Sequence, residues 1–69
     1  MGFQVADVVV NHKHKTIGIV LDVFDRGDIR TDADGVVYEG DCELYCCERH
    51  AEYSIAPSTA AKLATKARR

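Results

Sequence analysis

An aspartate- and glycine-rich stretch, DRGDIRTDADGVVYEGD, has the residue types of a calcium-binding loop. An EF-hand loop takes oxygen ligands at its first, third and fifth positions, a glycine at the sixth and an acid at the twelfth. With Gly35 in sixth place, the third, fifth and twelfth positions are held by Asp32, Asp34 and Asp41. Arg30 then stands at the first position, where a carboxylate belongs. We therefore interpret these aspartates as turn-forming and solvated residues, and we expect no calcium site.

A second group with chemical potential combines thiols and an imidazole, which are good zinc ligands. Its members are Cys42, Cys46, Cys47 and His50. Structural zinc sites usually show two separated ligand pairs, and a second pair of cysteines is missing here. We expect no metal and no other cofactor, with one cysteine filling the core as a small hydrophobe. The odd number of cysteines is atypical of a disulfide scaffold and indicates a reducing cytoplasm.

The basic loop NHKHK is the main candidate for partner contact, because loops that join strands commonly carry binding residues. Tyrosines add aromatic surface of the kind found at interfaces. The predicted partner-binding residues are His12, Lys13, His14, Lys15, Tyr38, Tyr45 and Tyr53. The alternative is that the loop is only the solvated tip of a hairpin.

Catalysis is not expected from this sequence. The available nucleophiles are Ser54, Ser58 and the cysteines. No nucleophile elbow, phosphate-binding loop or pair of catalytic carboxylates surrounds them. A domain of this size also has little room for a substrate pocket.

Short apolar segments separated by turn residues must position these side chains. The segments FQVADVVV, TIGIVLDVF, IRT and VVY are rich in β-branched residues, and the turns DRGD and DADG divide the last three. Such spacing predicts a small β-barrel or sandwich. The chain of 69 residues forms a single domain with a small core.

Residues 42–55 allow two interpretations. As strands they form a hairpin that turns near Glu48 to His50, which the tyrosines and cysteines favour. As a helix, capped by Asp41, they would place Leu44, Cys47 and Ala51 on one face.

The C-terminal segment has high helix propensity after Pro57. We predict a short helix at residues 58–67, with Ser58 as its N-cap. Its apolar stripe would consist of Ala60, Leu63, Ala64 and Ala67.

The order of these elements resembles small SH3-like barrels of the KOW and Tudor type over roughly residues 5–57. The matching points are Asp7, Gly18, Val20, Asp34 and Gly35. A KOW-type motif has a glycine before Asp7, where this chain has Ala6. The resemblance implies a mainly β fold, namely a five-stranded SH3-like barrel at about residues 3–57 followed by the C-terminal helix.

The charge distribution favours protein over nucleic acid as a partner. The net charge is −2, and eight acids lie between Asp22 and Glu43. The bases that could attract phosphates are Lys13, Lys15, Lys62, Lys66, Arg68 and Arg69. We therefore expect a non-enzymatic accessory or regulatory module in a bacterial-type cytoplasm, binding another protein or a second copy of itself. The alternative is weak binding of single-stranded RNA through the basic loop and the tyrosines. No apolar run is long enough to cross a membrane.

Overall fold

The computed structural model describes residues 2–45 and 52–67. Within them the chain is mainly β, with one α-helix near its C-terminal end. The strands are β1 Val8–Asn11, β2 Thr16–Val23, β3 Asp28–Thr31, β4 Gly35–Tyr38, β5 Cys42–Leu44 and β6 Ser54–Ile55. A short 3-10 helix, Glu39–Asp41, lies between β4 and β5, and helix α1 spans Pro57–Ala67.

The strands form one sheet with the order β4-β3-β2-β1-β5, and every neighbouring pair along this path is antiparallel. Strand β6 lies off the path and pairs with β2 in parallel. In the described residues the end strands β4 and β5 do not pair with each other, so the sheet is open. The predicted mainly β fold with a C-terminal helix is confirmed, whereas closure into a barrel is not.

Strand β2 joins the two halves of the sheet. Its N-terminal half pairs with β1, and its C-terminal half pairs with β3. The register with β3 shifts between Val20 and Asp22, so Leu21 is the extra residue of a bulge, which bends the strand. The bend lets both halves contribute to the core, whose buried side chains are Val9, Val10, Ile17, Val20, Ile29 and Val37. Phe3 and Cys42 are partly buried and pack against the cluster of Val9, Val20, Ile29 and Val37. One cysteine was predicted to fill the core, and Cys42 packs against it.

A second bulge precedes β1. The N–H of Ala6 donates to the carbonyl of Val20, and the N–H of Val20 donates to the carbonyl of Asp7, each at 2.8 Å. Ala6 and Asp7 therefore lie opposite the single residue Val20, and Ala6 has a φ of 81°. This is the left-handed conformation that glycine usually supplies in such a bulge. Ala6 occupies the position where a KOW-type motif has its glycine.

Helix α1 begins one residue earlier than predicted. The N–H of Ala60 donates to the carbonyl of Ala56 at 2.9 Å, so Pro57 is the first helical residue, a position that suits proline. The hydroxyl of Ser58 donates to Asp32 in the turn between β3 and β4. The prediction of Ser58 as N-cap was therefore wrong, because a tertiary partner takes its side chain.

The face by which α1 docks also differs from the prediction. Thr59 is fully buried and Leu63 is half-buried, whereas Ala60 and Ala64 are exposed. Of the predicted stripe, Ala60 and Ala64 do not form the contact, because hydrogen bonds to Asp32 fix the first turn of the helix, and Leu63 is half-buried.

Residues 46–51 lie outside the described residues, and with them the predicted turn near Glu48 to His50. The same holds for three members of the predicted thiol–imidazole group, Cys46, Cys47 and His50. Strand β5 accounts for the start of this region, as the strand interpretation predicted. In the part of the chain that the structure describes, no helix has the length and apolar character needed to cross a membrane.

Candidate functional site

The basic loop between β1 and β2 is built around His12. Its Nδ1 lies 3.1 Å from the hydroxyl of Tyr53, and its Nε2 lies 3.1 Å from Oε1 of Glu43. The rings of His12 and Tyr53 meet edge to face, with centroids 5.9 Å apart. Tyr53 comes from the segment before β6 and Glu43 from β5, so the loop connects two elements that are distant in sequence.

Lys15 completes this cluster. Its Nζ lies 6.0 Å from the centroid of the Tyr53 ring, within reach of a cation–π interaction. Its backbone has a φ of 60° and its N–H donates to the carbonyl of Asn11 at 2.7 Å, which closes the hairpin turn. The carbonyl of Lys15 in turn accepts the N–H of Ser54 at 3.1 Å, which holds Tyr53 beside the loop.

The other side of the loop is attached to the turn between β3 and β4. The hydroxyl of Thr16 donates to Asp34, and Nδ1 of His14 lies 3.7 Å from Oδ1 of the same carboxylate. Within the loop, the N–H of His14 donates to Oδ1 of Asn11 at 2.8 Å. Both histidines of the loop therefore face a carboxylate.

This pairing changes the electrostatic character predicted for the loop. Of its four basic side chains, Lys13 has no ion pair within residues 2–45 and 52–67, and Lys15 lies over a ring. The histidine–carboxylate pairs are solvent-accessible and contribute about 0–1 kcal/mol each. They orient the side chains more than they stabilise the fold, and they make the loop a surface of mixed charge.

Asp32, another acid of the calcium-like pattern, accepts hydrogen bonds from groups within the protein. Its Oδ1 accepts the N–H of Ile19 at 2.8 Å, and both carboxylate oxygens lie 3.1 Å from the hydroxyl of Thr59. Burial raises the pKa of Asp32, but hydrogen bonds from Ser58, Ile19 and Thr59 outweigh this effect and leave its pKa below the ordinary value. The carboxylate is therefore ionised at neutral pH and serves as an anchor for α1.

Cys42 is the described member of the predicted thiol–imidazole group. Burial raises the pKa of its thiol to about 11, assisted by the charges of Asp41 and Asp34. Its Sγ lies 3.8 Å from the carbonyl oxygen of Tyr38. A thiol in this state is protonated at neutral pH and is a poor nucleophile and metal ligand. Among the described residues, no group of three or more His, Cys, Asp or Glu side chains could hold a metal ion.

Strand β4, at one end of the sheet, exposes two large side chains. Val36 and Tyr38 are each 59% exposed, while Val37 between them is buried. Their side chains lie on the outer face of the sheet, since alternate residues of a strand point to opposite faces. We call the open side of β4, with these two side chains, the β4 edge.

The backbone groups of the same two residues point away from β3. The N–H of Glu39 donates to the carbonyl of Gly27 at 2.7 Å, so these residues form a hydrogen-bonded pair in register with the β3–β4 ladder. Because such pairs alternate with non-bonded pairs, Val37 faces β3, whereas Val36 directs its N–H and C=O, and Tyr38 its N–H, to the open side. The carbonyl of Tyr38 begins the 3-10 helix and lies 3.8 Å from Sγ of Cys42, so it is engaged within the protein. The β4 edge therefore combines free strand-pairing groups with exposed side chains.

The ring of Tyr38 lies directly on backbone. A methyl group at Gly40 would lie 2.8 Å from ring carbon Cζ, and one at Gly27 would lie 3.4 Å from Cε1. The glycines permit this close approach, and Gly27 also supplies the φ of 81° that its turn requires. The ring is thus supported from below and exposed above, which reduces the entropy that it would lose on binding a partner.

The third predicted tyrosine, Tyr45, belongs to a different surface. It lines a cleft of about 240 Å³ between the start of β1, the end of β5 and helix α1, together with Lys62 and Leu63. Nζ of Lys62 donates to the carbonyl of Ala6 at 2.8 Å across this cleft.

The structure therefore distributes the predicted partner-binding residues over three places. The loop residues share a cluster with Tyr53, while Tyr38 belongs to the β4 edge and Tyr45 to the cleft. Sequence reasoning did not single out Val36 or Gly40. Two features of the sequence could have indicated them. Val36 and Tyr38 are two residues apart, so they share one face of a strand, and Gly40 follows two residues after the tyrosine.

Comparison with family models, with curated proteins and with solved structures found no match to this chain.

Proposed function

We propose that this protein is a non-enzymatic interaction module that binds a segment of another protein at the β4 edge. One observation carries the proposal. Val36 presents an outward N–H and C=O and Tyr38 an outward N–H, and the apolar and aromatic side chains at these two positions are each 59% exposed. An extended peptide that adds a strand to a sheet uses these two kinds of contact, the first for affinity and the second for specificity.

The composition of β4 supports this proposal. Many proteins protect an edge strand with proline, lysine or another charged side chain, because an open edge invites pairing with other chains. The sequence of β4 is GVVY, which has no proline and no charge. The rigidly supported ring of Tyr38 adds an anchor of the residue type that is enriched in interface hot spots.

The basic loop suits a second contact with the same class of partner. Its basic side chains lie beside carboxylates, as the pairs His12–Glu43 and His14–Asp34 illustrate. Such a mixed surface is common at the polar rim of protein interfaces. Weak binding of single-stranded RNA, with Lys15 and Tyr53 in contact with a nucleotide, is the second candidate. Its affinity would be low, because the neighbouring carboxylates repel phosphate, and it would fall as salt rises, because the contacts between lysines and phosphates depend on counterion release.

We further propose that the sheet belongs to the SH3-like class of small barrels. Two features support this assignment. Strand β1 pairs with both β2 and β5, and a 3-10 helix leads from the end of β4 into β5. The compartment that fits best is a reducing cytoplasm, since Cys42 is a free thiol.

A non-enzymatic role agrees with the state of the described nucleophiles. The Cys42 thiol has a raised pKa, and the hydroxyl of Ser58 is directed to Asp32. The lowered pKa of Asp32 makes that carboxylate a weak base for activating Ser58.

Selection from a random-sequence peptide display library tests the proposed function. We expect the wild-type protein to select peptides, and a Val36→Thr/Tyr38→Ser double variant to retain none of them. A double variant of the cleft, Leu44→Thr/Leu63→Thr, is the control and should bind the same peptides as the wild type. Selected peptides that bind both double variants equally well would contradict the assignment of the site.

A further inference from the structure

The charges around the β4 edge indicate the chemistry of its partner, an inference that rests on the proposed function. We propose that the segment bound at this edge is an extended, basic polypeptide in which lysine or arginine alternates with apolar residues. Two independent features carry the inference, namely the direction of the backbone groups of β4 and the acids that surround Tyr38.

Only some of the acids in the middle of the chain have a hydrogen-bond or ion-pair partner within the described residues. Eight acids and two arginines lie between Asp22 and Glu43. Four of the eight acids have partners within the protein: Asp22, Asp32, Asp34 and Glu43. Arg30 is engaged with Asp22, so it does not neutralise the others.

The other four acids are Asp25, Asp28, Glu39 and Asp41, and none of them forms an ion pair within residues 2–45 and 52–67. Three of them lie close to Tyr38 along the chain or across the ladder. Asp28 is its cross-strand partner, Glu39 is the next residue, and Asp41 is the third residue after it. Arg26 lies in the turn before β3. The surroundings of the exposed ring are therefore acidic, and they favour a cationic partner over an anionic one.

The backbone geometry requires that this partner be extended. Val36 and Tyr38 are two residues apart, so their outward N–H groups repeat at about 7 Å along β4, with the outward C=O of Val36 between them. Only a strand presents complementary groups at that interval, and its side chains then alternate between the two faces of the sheet. One set would contact Val36, Tyr38 and the acids, which suits the long apolar stems and charged ends of lysine and arginine.

A second copy of the chain fits the β4 edge less well. Pairing of β4 with β4 of another copy would bring Asp28 and Glu39 of both copies into one interface. Bringing like charges together at an interface is unfavourable. We therefore assign the edge to a different, basic polypeptide.

The experiment compares two synthetic eight-residue peptides with blocked termini, one alternating valine with lysine and the other valine with glutamate. Each is titrated into the full-length protein at low and at physiological salt, and backbone amide chemical shifts are followed. We expect the lysine peptide to shift the amides of residues 35–38, and the glutamate peptide to bind at least about tenfold more weakly. Equal affinity for both peptides would overturn the inference, as would shifts confined to the cleft at Tyr45. Chemical shifts that change with protein concentration alone would also overturn it, since they would indicate a second copy at the edge.

Two variants at Tyr38 separate the ring from the backbone. The residue has a φ of −83°, close to the value that proline adopts, so Tyr38→Pro removes the outward N–H without opposing the strand conformation. Tyr38→Ala removes the ring alone. We expect both variants to keep the dispersed amide spectrum of the wild type, and Tyr38→Pro to bind the lysine peptide at least about tenfold more weakly than Tyr38→Ala. Equal binding by the two variants would show that strand addition is not the mode of recognition.

Failure of the basic-partner inference can be distinguished from failure of the proposed function. If the library yields peptides that depend on Val36 and Tyr38 but are acidic or neutral, the β4 edge remains the site and the basic partner is wrong. If the library yields no peptide that depends on these residues, the proposed function itself fails.

Discussion

Thr59, fully buried in the first turn of α1, donates its hydroxyl to the carboxylate of Asp32, 3.1 Å away and 27 positions earlier in the chain. Asp32 lies in the turn between β3 and β4 and also accepts the N–H of Ile19 in β2. One carboxylate therefore joins three elements. Its negative charge at the N-terminal end of α1 also interacts favourably with the helix dipole.

Replacing Asp32 should release the helix. In Asp32→Ala the buried hydroxyl of Thr59 loses its acceptor, and we expect the free energy of unfolding to fall by about 2–3 kcal/mol. Asp25→Ala, at an exposed acid of another turn, is the matched control and should change it by less than about 0.5 kcal/mol. Urea unfolding of the three proteins at neutral pH measures the difference. Equal midpoints for the two variants would show that Asp32 does not anchor α1.

The stability of the fold should depend on the ionisation of Asp32. Because its pKa is lower in the folded protein than in the unfolded chain, the carboxylate stabilises the fold above the unfolded value of about 4, and this contribution is lost as the pH falls through the folded value. Asp32→Asn removes the ionisation. We expect the difference in unfolding free energy between wild type and Asp32→Asn to be constant from pH 7 to pH 5 and to shrink below pH 4. A difference that does not vary with pH would contradict this account.

Gly18 should not tolerate a side chain. A methyl group there would lie 2.8 Å from Oδ1 of Asp32 and 2.9 Å from Cβ of Ala33, so the turn would have to move away from β2. We expect Gly18→Ala to destabilise the protein by about 1–3 kcal/mol, the usual cost of overpacking. Gly2→Ala serves as the control, because its methyl group would meet only Oε1 of Glu39 at an ordinary 3.5 Å. Thermal unfolding of both variants checks the prediction, and equal midpoints would contradict it.

Replacing Ala6 with glycine should increase the free energy of unfolding. Its φ of 81° costs an L-residue about 1–2 kcal/mol, which exceeds the extra entropy that glycine loses on folding. We expect Ala6→Gly to stabilise the protein by up to about 1 kcal/mol. Ala33→Gly, where the backbone is not in the left-handed region, should instead destabilise it by about 0.5–1 kcal/mol. Loss of stability in Ala6→Gly, measured by urea unfolding, would argue against the bulge at this position.

The local elements were predictable from the sequence because local residues determine them. The turn residues DADG place β3 and β4 antiparallel to each other, and the alanine-rich C-terminal segment forms α1. The docking of α1 was not predictable, because it depends on the tertiary contacts of Asp32 with Ser58 and Thr59. Helix propensity indicated the alanine stripe, but hydrogen bonds at the first turn determine which face is buried.

The candidate site was predictable in part. Tyr38 and the loop residues were identified as contacts from residue type alone. The sequence did not indicate that Glu43 and Asp34 would face His12 and His14, because those pairs depend on the strand order. It also did not reveal the open side of β4, since the direction of backbone groups follows from the register of β3 with β4.

Amide hydrogen exchange of β4, with and without a peptide selected from the display library, tests the central claim most directly. In the free protein we expect the amides of Val36 and Tyr38 to exchange rapidly, while the amide of Val37, bonded to β3, is protected. Addition of the peptide should slow exchange at Val36 and Tyr38 by at least about tenfold. Protection of these two amides in the free protein at the level of Val37 would contradict the account, as would a bound peptide that leaves their exchange unchanged.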